Sequence, residues 1–146
     1  MTPPVSQVDV STLEVGTSVP PLRRTITQTD MVAYAGATWD WHQLHYDATY
    51  LAAKKLPAAV VDGQVFGALL VEQAQDWIGP AAWVQAVDFR FKNLVFAGET
   101  VECTATVREV ITTDEGTMIV LDCEVGVVGD KARVAAAPCS VTVLVR

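Results

Sequence analysis

The chain is poor in the residues that most often carry out chemistry. Only two histidines occur in 146 residues, His42 and His45. The three cysteines, Cys103, Cys123 and Cys139, are an odd set without Cys-x-x-Cys spacing. Each lies in a strand-like run, so they read as reduced core or sheet residues of a cytoplasmic protein, and no histidine lies near them in sequence to activate a nucleophile. Positive charge is also scarce. Ten Lys and Arg stand against seventeen Asp and Glu, giving a net charge of -7 and a pI near 4.6. Nucleic-acid and anionic-membrane binding draw their affinity from clustered cations, so neither is expected here. No apolar run reaches membrane-spanning length, and the opening "MTPPVSQVDVSTLEVG" has neither the basic nor the apolar part of a secretory signal. Phosphate-binding glycine loops, nucleophile elbows and flavin or nicotinamide fingerprints are missing too.

What is present suits a single domain over 1–146. About half the residues are apolar, enough for one core. Residues 1–21, with Pro3, Pro4, Pro20 and Pro21, read as an extended arm lying on the body. Thr27 or Thr29 can cap a short helix through "DMVAYAG", which Gly36 would end. After a loop, Asp47 can cap a second helix, "ATYLAAKK", stopped by Pro57. The strongest helical signal is "GQVFGALLVEQAQDWIGP". There Val65, Phe66, Leu69, Leu70, Gln73, Ala74 and Trp77 recur at three-to-four spacing, and Gly79-Pro80 closes the run. Everything beyond alternates like strand: "AWVQAVDFRF", "ETVECTATVREVI", "TMIVLDCEVGVV" and "RVAAAPCSVTVLVR", parted by "TDEG" and "GD" turns. Helices followed by strands favour an α+β fold, with an antiparallel sheet wrapped around one long central helix.

Both histidines fall in one segment, "AYAGATWDWHQLHYD", residues 33–47. Asp40 and His45 are five apart, which on a continuous helix would turn them about 140° from each other at roughly 100° per residue. In a loop the two side chains can converge, and a carboxylate beside an imidazole suits proton transfer near neutral pH. The plainer reading is an Asp that caps or orients a structural His. A metal site is a further alternative, with two carboxylates and two imidazoles within eight residues. His-x-x-His is not the i, i+4 pair of a zincin, and a ligand set could be completed only through Asp or Glu, so neither metal nor cofactor is expected.

The same segment resembles the MaoC-like dehydratases and (R)-specific enoyl-CoA hydratases, which have the hot-dog fold. Their signature runs approximately Tyr-Ala-Gly-Ala-Ser-Gly-Asp-x-Asn-Pro-x-His-x-Asp, and this chain reads from Tyr34 to Asp47 without a gap. "VVDGQVFGALL" resembles the start of the family's central helix, and "DFRFKNLVFAGETV" resembles its Phe-x-Phe strand and turn. The resemblance covers the chain up to about Val107. It implies that Asp40 and His45 are a catalytic dyad activating the water that adds to a 2-enoyl thioester, giving the 3-hydroxyacyl thioester. It also implies that the Gly63 backbone N–H receives the thioester oxygen. Free N–H groups at a helix start suit a developing enolate, and a glycine there permits close approach.

The departures are His42 for Asn, Gln43 for Pro, Trp39 for Gly and Asp62 for the His before Gly63. Trp39 and Trp41 are either ordinary core aromatics or walls of the pocket. Asp62 is favourably placed for the helix dipole but opposes an enolate beside it. Trp39, Trp41, His42 and Asp62 are therefore candidate substrate-binding residues. Arg90 and Lys92 are candidates for the CoA or acyl-carrier-protein side of the ligand. The need to protect sheet edges, together with the resemblance, implies a homodimer or a heterodimer with a second MaoC-like chain. Two alternatives to hydration stand: a non-catalytic acyl-thioester-binding subunit of a heteromeric dehydratase, and a hot-dog thioesterase. Phe66, Trp77, Phe89 and Phe91 are expected in the core, and Glu72 and Gln73 on the surface or at a subunit interface.

Overall fold

The structure, a computed structural model, describes residues 8–146. Five strands, β1 (Ser18–Thr25), β2 (Ala82–Phe91), β3 (Thr100–Thr113), β4 (Gly116–Val128) and β5 (Arg133–Val145), form one antiparallel sheet in the order β1-β3-β4-β5-β2. Three helices precede β2: α1 (Gln28–Thr38), α2 (Ala48–Ala53) and α3 (Gln64–Ile78), with a 3-10 turn at Gln43–His45. This is the α+β, hot-dog arrangement, with the sheet wrapped around α3.

The α3 periodicity carries through. Phe66, Leu70, Ala74 and Ile78 are buried one turn apart, and the inward residues of the sheet, including Val101, Cys103, Ile119, Leu121, Val141 and Val143, complete one core. Alternate residues of β3, β4 and β5 enter it, as a sheet with one buried face requires. The three thiols lie buried on β3, β4 and β5, and burial raises Cys103 and Cys123 to about 12, so they are inert packing groups. Phe89 explains one glycine of α3, because a Cβ at Gly67 would meet its ring at 2.6 Å.

Four expectations change. The arm read over 1–21 gives its last residues to β1, while residues 1–7 lie outside the described residues. Pro20 and Pro21 are tolerated because β1 is an edge strand, and the register slips between Val19 and Leu22. Gln73 is buried, not exposed. The prolines offer no N–H to this stretch, and the Gln73 amide donates across it to the Pro20 and Cys103 carbonyls at 2.9 and 3.0 Å. Helix α1 runs through Gly36 to Thr38 and ends at Trp39, which takes the left-handed conformation (φ 61, ψ 24) usually given to glycine. Phe91 is 57% exposed, so it is not a core residue.

Candidate active site

The site is assembled from three consecutive pieces of chain that meet at the start of α3. The first is the histidine segment. Thr27 caps α1 in a reciprocal capping box with Asp30, and the helix delivers Trp39 and Asp40 at its end. His42 then caps the 3-10 turn: its Nδ1 accepts from the Leu44 N–H at 3.1 Å. A bare Nδ1 on His42 therefore gives the second histidine a capping role. Asp47 caps α2 through the Tyr50 N–H at 2.9 Å, so both ends of the loop are fixed.

The second piece is 59–61, which lies along 95–97 through Val61 N–H to Val95 O at 2.8 Å and Ala97 N–H to Ala59 O at 2.8 Å. It presents the Val60 carbonyl to His45, whose Nδ1–H donates to it at 2.7 Å. A carbonyl can only accept, so a proton sits on Nδ1, and among the described residues no bond engages Nε2. The Gln28 side chain donates to the His45 carbonyl at 3.2 Å and ties the turn to α1.

The third piece is Asp62-Gly63 at the N-terminus of α3. Asp62, just before the cap residue Gly63, is 7% exposed, and its Oδ1 accepts from the Gln64 N–H at 2.9 Å, the first N–H of the helix. Among the described residues no acceptor takes the Gly63 N–H, which is left as the free donor beside the site. The Phe91 ring lies against this glycine, where a Cβ would meet it at 2.4 Å.

These pieces bring Asp40, His45 and Asp62 together. Each offers an atom within 4.8 Å of the others, the one such group of potential metal ligands among the described residues. Asp40 is exposed and His45 is partly buried. Below them opens a cleft of about 300 Å³ lined by His45, Gly63, Phe66, Phe91, Lys92 and Leu94. Of the two cations expected near a ligand, Lys92 lines this cleft, whereas Arg90 belongs to a separate depression with Asp88, Arg108 and Asp122. Phe89 and Phe91 face α3, so Arg90 between them faces away, whereas Lys92 lies past the end of β2 and lines the cleft. Trp39 is 80% exposed, edge-on to Trp41, which is in turn edge-on to Tyr46. The two indoles form an outer aromatic border to the loop.

Sequence reading passed over three contributors. The Val60 carbonyl is invisible to side-chain motifs. Arg133 holds the 92–99 loop through two bonds to the Leu94 carbonyl, at 3.1 and 2.7 Å, and an ion pair with Glu99 at 2.6 Å. Tyr34 stands near Asp62: burial first, and then the Asp62 charge, push its phenol above the usual value. The Tyr in the signature segment was the available signal for it.

With this geometry in place, the comparisons fall into line. The family described as MaoC like domain matches residues 11–127, and the chain belongs to that family. No curated protein sequence matches it. Among solved structures it is similar to R-hydratase PhaJ1 from Pseudomonas aeruginosa (TM-score 0.85, 19% identity, 97% of this chain and 87% of that one). It is similar also to the (R)-hydratase from A. caviae involved in PHA biosynthesis (TM-score 0.81, 19% identity, 92% and 98%). A third is a chain of the ChsH1-ChsH2 complex from Mycobacterium tuberculosis (TM-score 0.78, 23% identity, 91% and 98%). At these identities the likeness establishes the hot-dog fold.

Proposed function

We propose that the protein is a hydro-lyase that reversibly adds water across the double bond of a 2-enoyl thioester. The observation that carries this reading is the convergence of Asp40 and His45, with Nε2 free, beside the unclaimed N–H of Gly63. A water held between the Asp40 carboxylate and Nε2 of His45 gives up a proton as its oxygen attacks the β-carbon. The electron pair moves to the thioester oxygen, where the Gly63 N–H and the positive end of α3 stabilise the enolate. Protonation at the α-carbon completes the 3-hydroxyacyl thioester. The Val60 carbonyl holds the imidazole in the required tautomer throughout. The thiol arm of the ligand, CoA or an acyl carrier protein, follows the cleft past Lys92.

Loss of the conjugated enoyl-thioester absorbance on mixing protein with 2-enoyl-CoAs tests the proposal. Asp40→Asn and His45→Ala are each expected to reduce the rate about 10²–10⁴-fold, the usual contribution of general acid–base catalysis. Activity should also survive a chelator, because proton transfer by this pair requires no metal. Wild-type rates retained in both variants would sink the reading, and release of free thiol would indicate a thioesterase.

Asp62 favours a second reading. A buried carboxylate next to the Gly63 N–H opposes an enolate at that point, as expected of a subunit that binds the thioester and leaves hydration to a partner. The ChsH1-ChsH2 structure is a complex of two named components, and an analogous pairing here is the corresponding assembly proposal. Acyl-CoA binding without hydration at any chain length would support it.

A further inference from the structure

Hydration uses two of the three side chains that converge at the start of α3. Asp40, His45 and Asp62 each offer an atom within 4.8 Å of the others, two carboxylates and one imidazole. A ligand set around His45 could be completed only through Asp or Glu, and Asp62 completes it from outside the histidine segment. Asp62 is 7% exposed. Its Oδ1 accepts from the Gln64 N–H at 2.9 Å, and among the described residues its other oxygen receives no hydrogen bond. Every ion pair among the described residues joins other acids, so neither Asp40 nor Asp62 has a cation. A buried carboxylate without a counter-charge is costly.

Each of the three is also held from behind in the way metal ligands are. A metal-bound histidine donates its second ring N–H to a carbonyl or carboxylate, and ligating carboxylates are themselves hydrogen-bonded. His45 donates from Nδ1 to the Val60 carbonyl at 2.7 Å, which leaves Nε2 as the nitrogen able to coordinate. The Gln64 N–H holds Asp62, and the His42 N–H holds Asp40 at 3.3 Å. Ligand atoms about 2.0–2.2 Å from one zinc ion lie about 3.3–3.5 Å apart in a tetrahedron. Asp40, exposed and the most loosely held, is the side chain that can turn inward to meet that spacing. One imidazole with two carboxylates suits zinc better than magnesium or calcium, which take all-oxygen shells. His45 also lines the open cleft, which gives room for water as a fourth ligand.

We propose that Asp40, His45 and Asp62 form a zinc-binding site, and that the bound ion turns hydration off. The site stands on the geometry alone, whereas its effect on the rate rests on the hydratase reading above. Nε2 of His45 and the Asp40 carboxylate can hold the reacting water or the ion, and not both. Hydration itself needs no metal, so zinc is a reversible inhibitor and a chelator restores the rate. The ion also supplies the counter-charge that Asp62 lacks, which gives a use to a carboxylate placed where it opposes an enolate.

Zinc binding is read separately from catalysis. Isothermal titration of the chelator-treated protein with zinc chloride should show one ion per chain, and saturating zinc should raise the melting temperature, as a ligand of the folded state does. Cobalt(II) in place of zinc should give the intense visible bands of a tetrahedral ion, which the hydrated ion lacks. Asp62→Asn and Asp40→Asn are each expected to weaken zinc about tenfold or more, and either one keeps the test valid should the other unfold. Magnesium should bind about a hundredfold more weakly than zinc. Saturating zinc should slow hydration of a 2-enoyl-CoA at least tenfold, and excess chelator should restore it. A folded wild type that gives neither heat nor a melting shift with zinc, or wild-type zinc affinity in both folded variants, would overturn the site. Zinc bound through these residues in a protein that hydrates nothing leaves the site standing and removes the hydratase reading. Hydration that Asp40→Asn abolishes and saturating zinc leaves untouched does the reverse.

Discussion

The sheet and the segment 39–47 use their side chains in opposite ways. In β3, β4 and β5 alternate residues are buried to within a few per cent, and the reactive groups among them, the cysteines, are silenced by burial. In 39–47 nothing is fully buried, the backbone changes conformation at Trp39, His42 and Tyr46, and Asp40, His42, His45, Tyr46 and Asp47 each make a directed side-chain bond. The sheet is stabilised by removing apolar area from water, so its exact bonding partners matter little. The segment is held by a few capping bonds, so small changes there redirect chemistry while leaving the core untouched.

Substitutions should separate the two regions. The largest stability effect is expected in the sheet. Leu121→Ala removes a side chain that is 1% exposed and should cost about 2–5 kcal/mol in denaturant unfolding, against little change for His45→Ala. Comparable losses from both would mean that the segment is part of the folding core.

A smaller effect is expected at Arg133 and Glu99, which tie the 92–99 loop to β5. The bond from Arg133 first of all holds Glu99 below its ordinary value of 4.5. A depressed acid stabilises the fold above its unfolded value and loses that contribution as pH falls through the folded one. Wild type should therefore lose stability below about pH 4.5, and Glu99→Gln should flatten that acid limb while costing about 1 kcal/mol at neutral pH. An acid limb that persists unchanged in Glu99→Gln would assign it to other carboxylates.

The smallest effect should be a gain. Trp39 occupies a left-handed position with its ring 80% exposed, so Trp39→Gly trades strain for backbone entropy and should raise stability by up to about 1 kcal/mol. A fall in melting temperature would show that the edge-on contact with Trp41 outweighs the strain.

Much of this was legible in advance. The run from Ala82 to Phe91 matched β2 to the residue, the α3 stripe matched its buried face, and Thr27, Asp47 and Gly79 marked helix boundaries correctly. These features are local: periodicity and caps are written within a few residues of where they act. Gly36 misled because a glycine is tolerated inside a helix, here against the Trp41 ring, and the left-handed terminus went to a tryptophan instead.

The pairing of Asp40 with His45 was also readable, as a motif. That Asp62 joins them, that Val60 sets the His45 tautomer, and that Arg90 faces away from the cleft while Lys92 lines it were decided only when the strands closed around α3. Sequence by itself determined which elements form and which faces are apolar, because those depend on spacing along one chain. Tertiary structure decided which polar atoms meet, because distances between Asp40, Val60 and Asp62 are set by how 59–61 lies along 95–97, a contact between segments more than thirty residues apart.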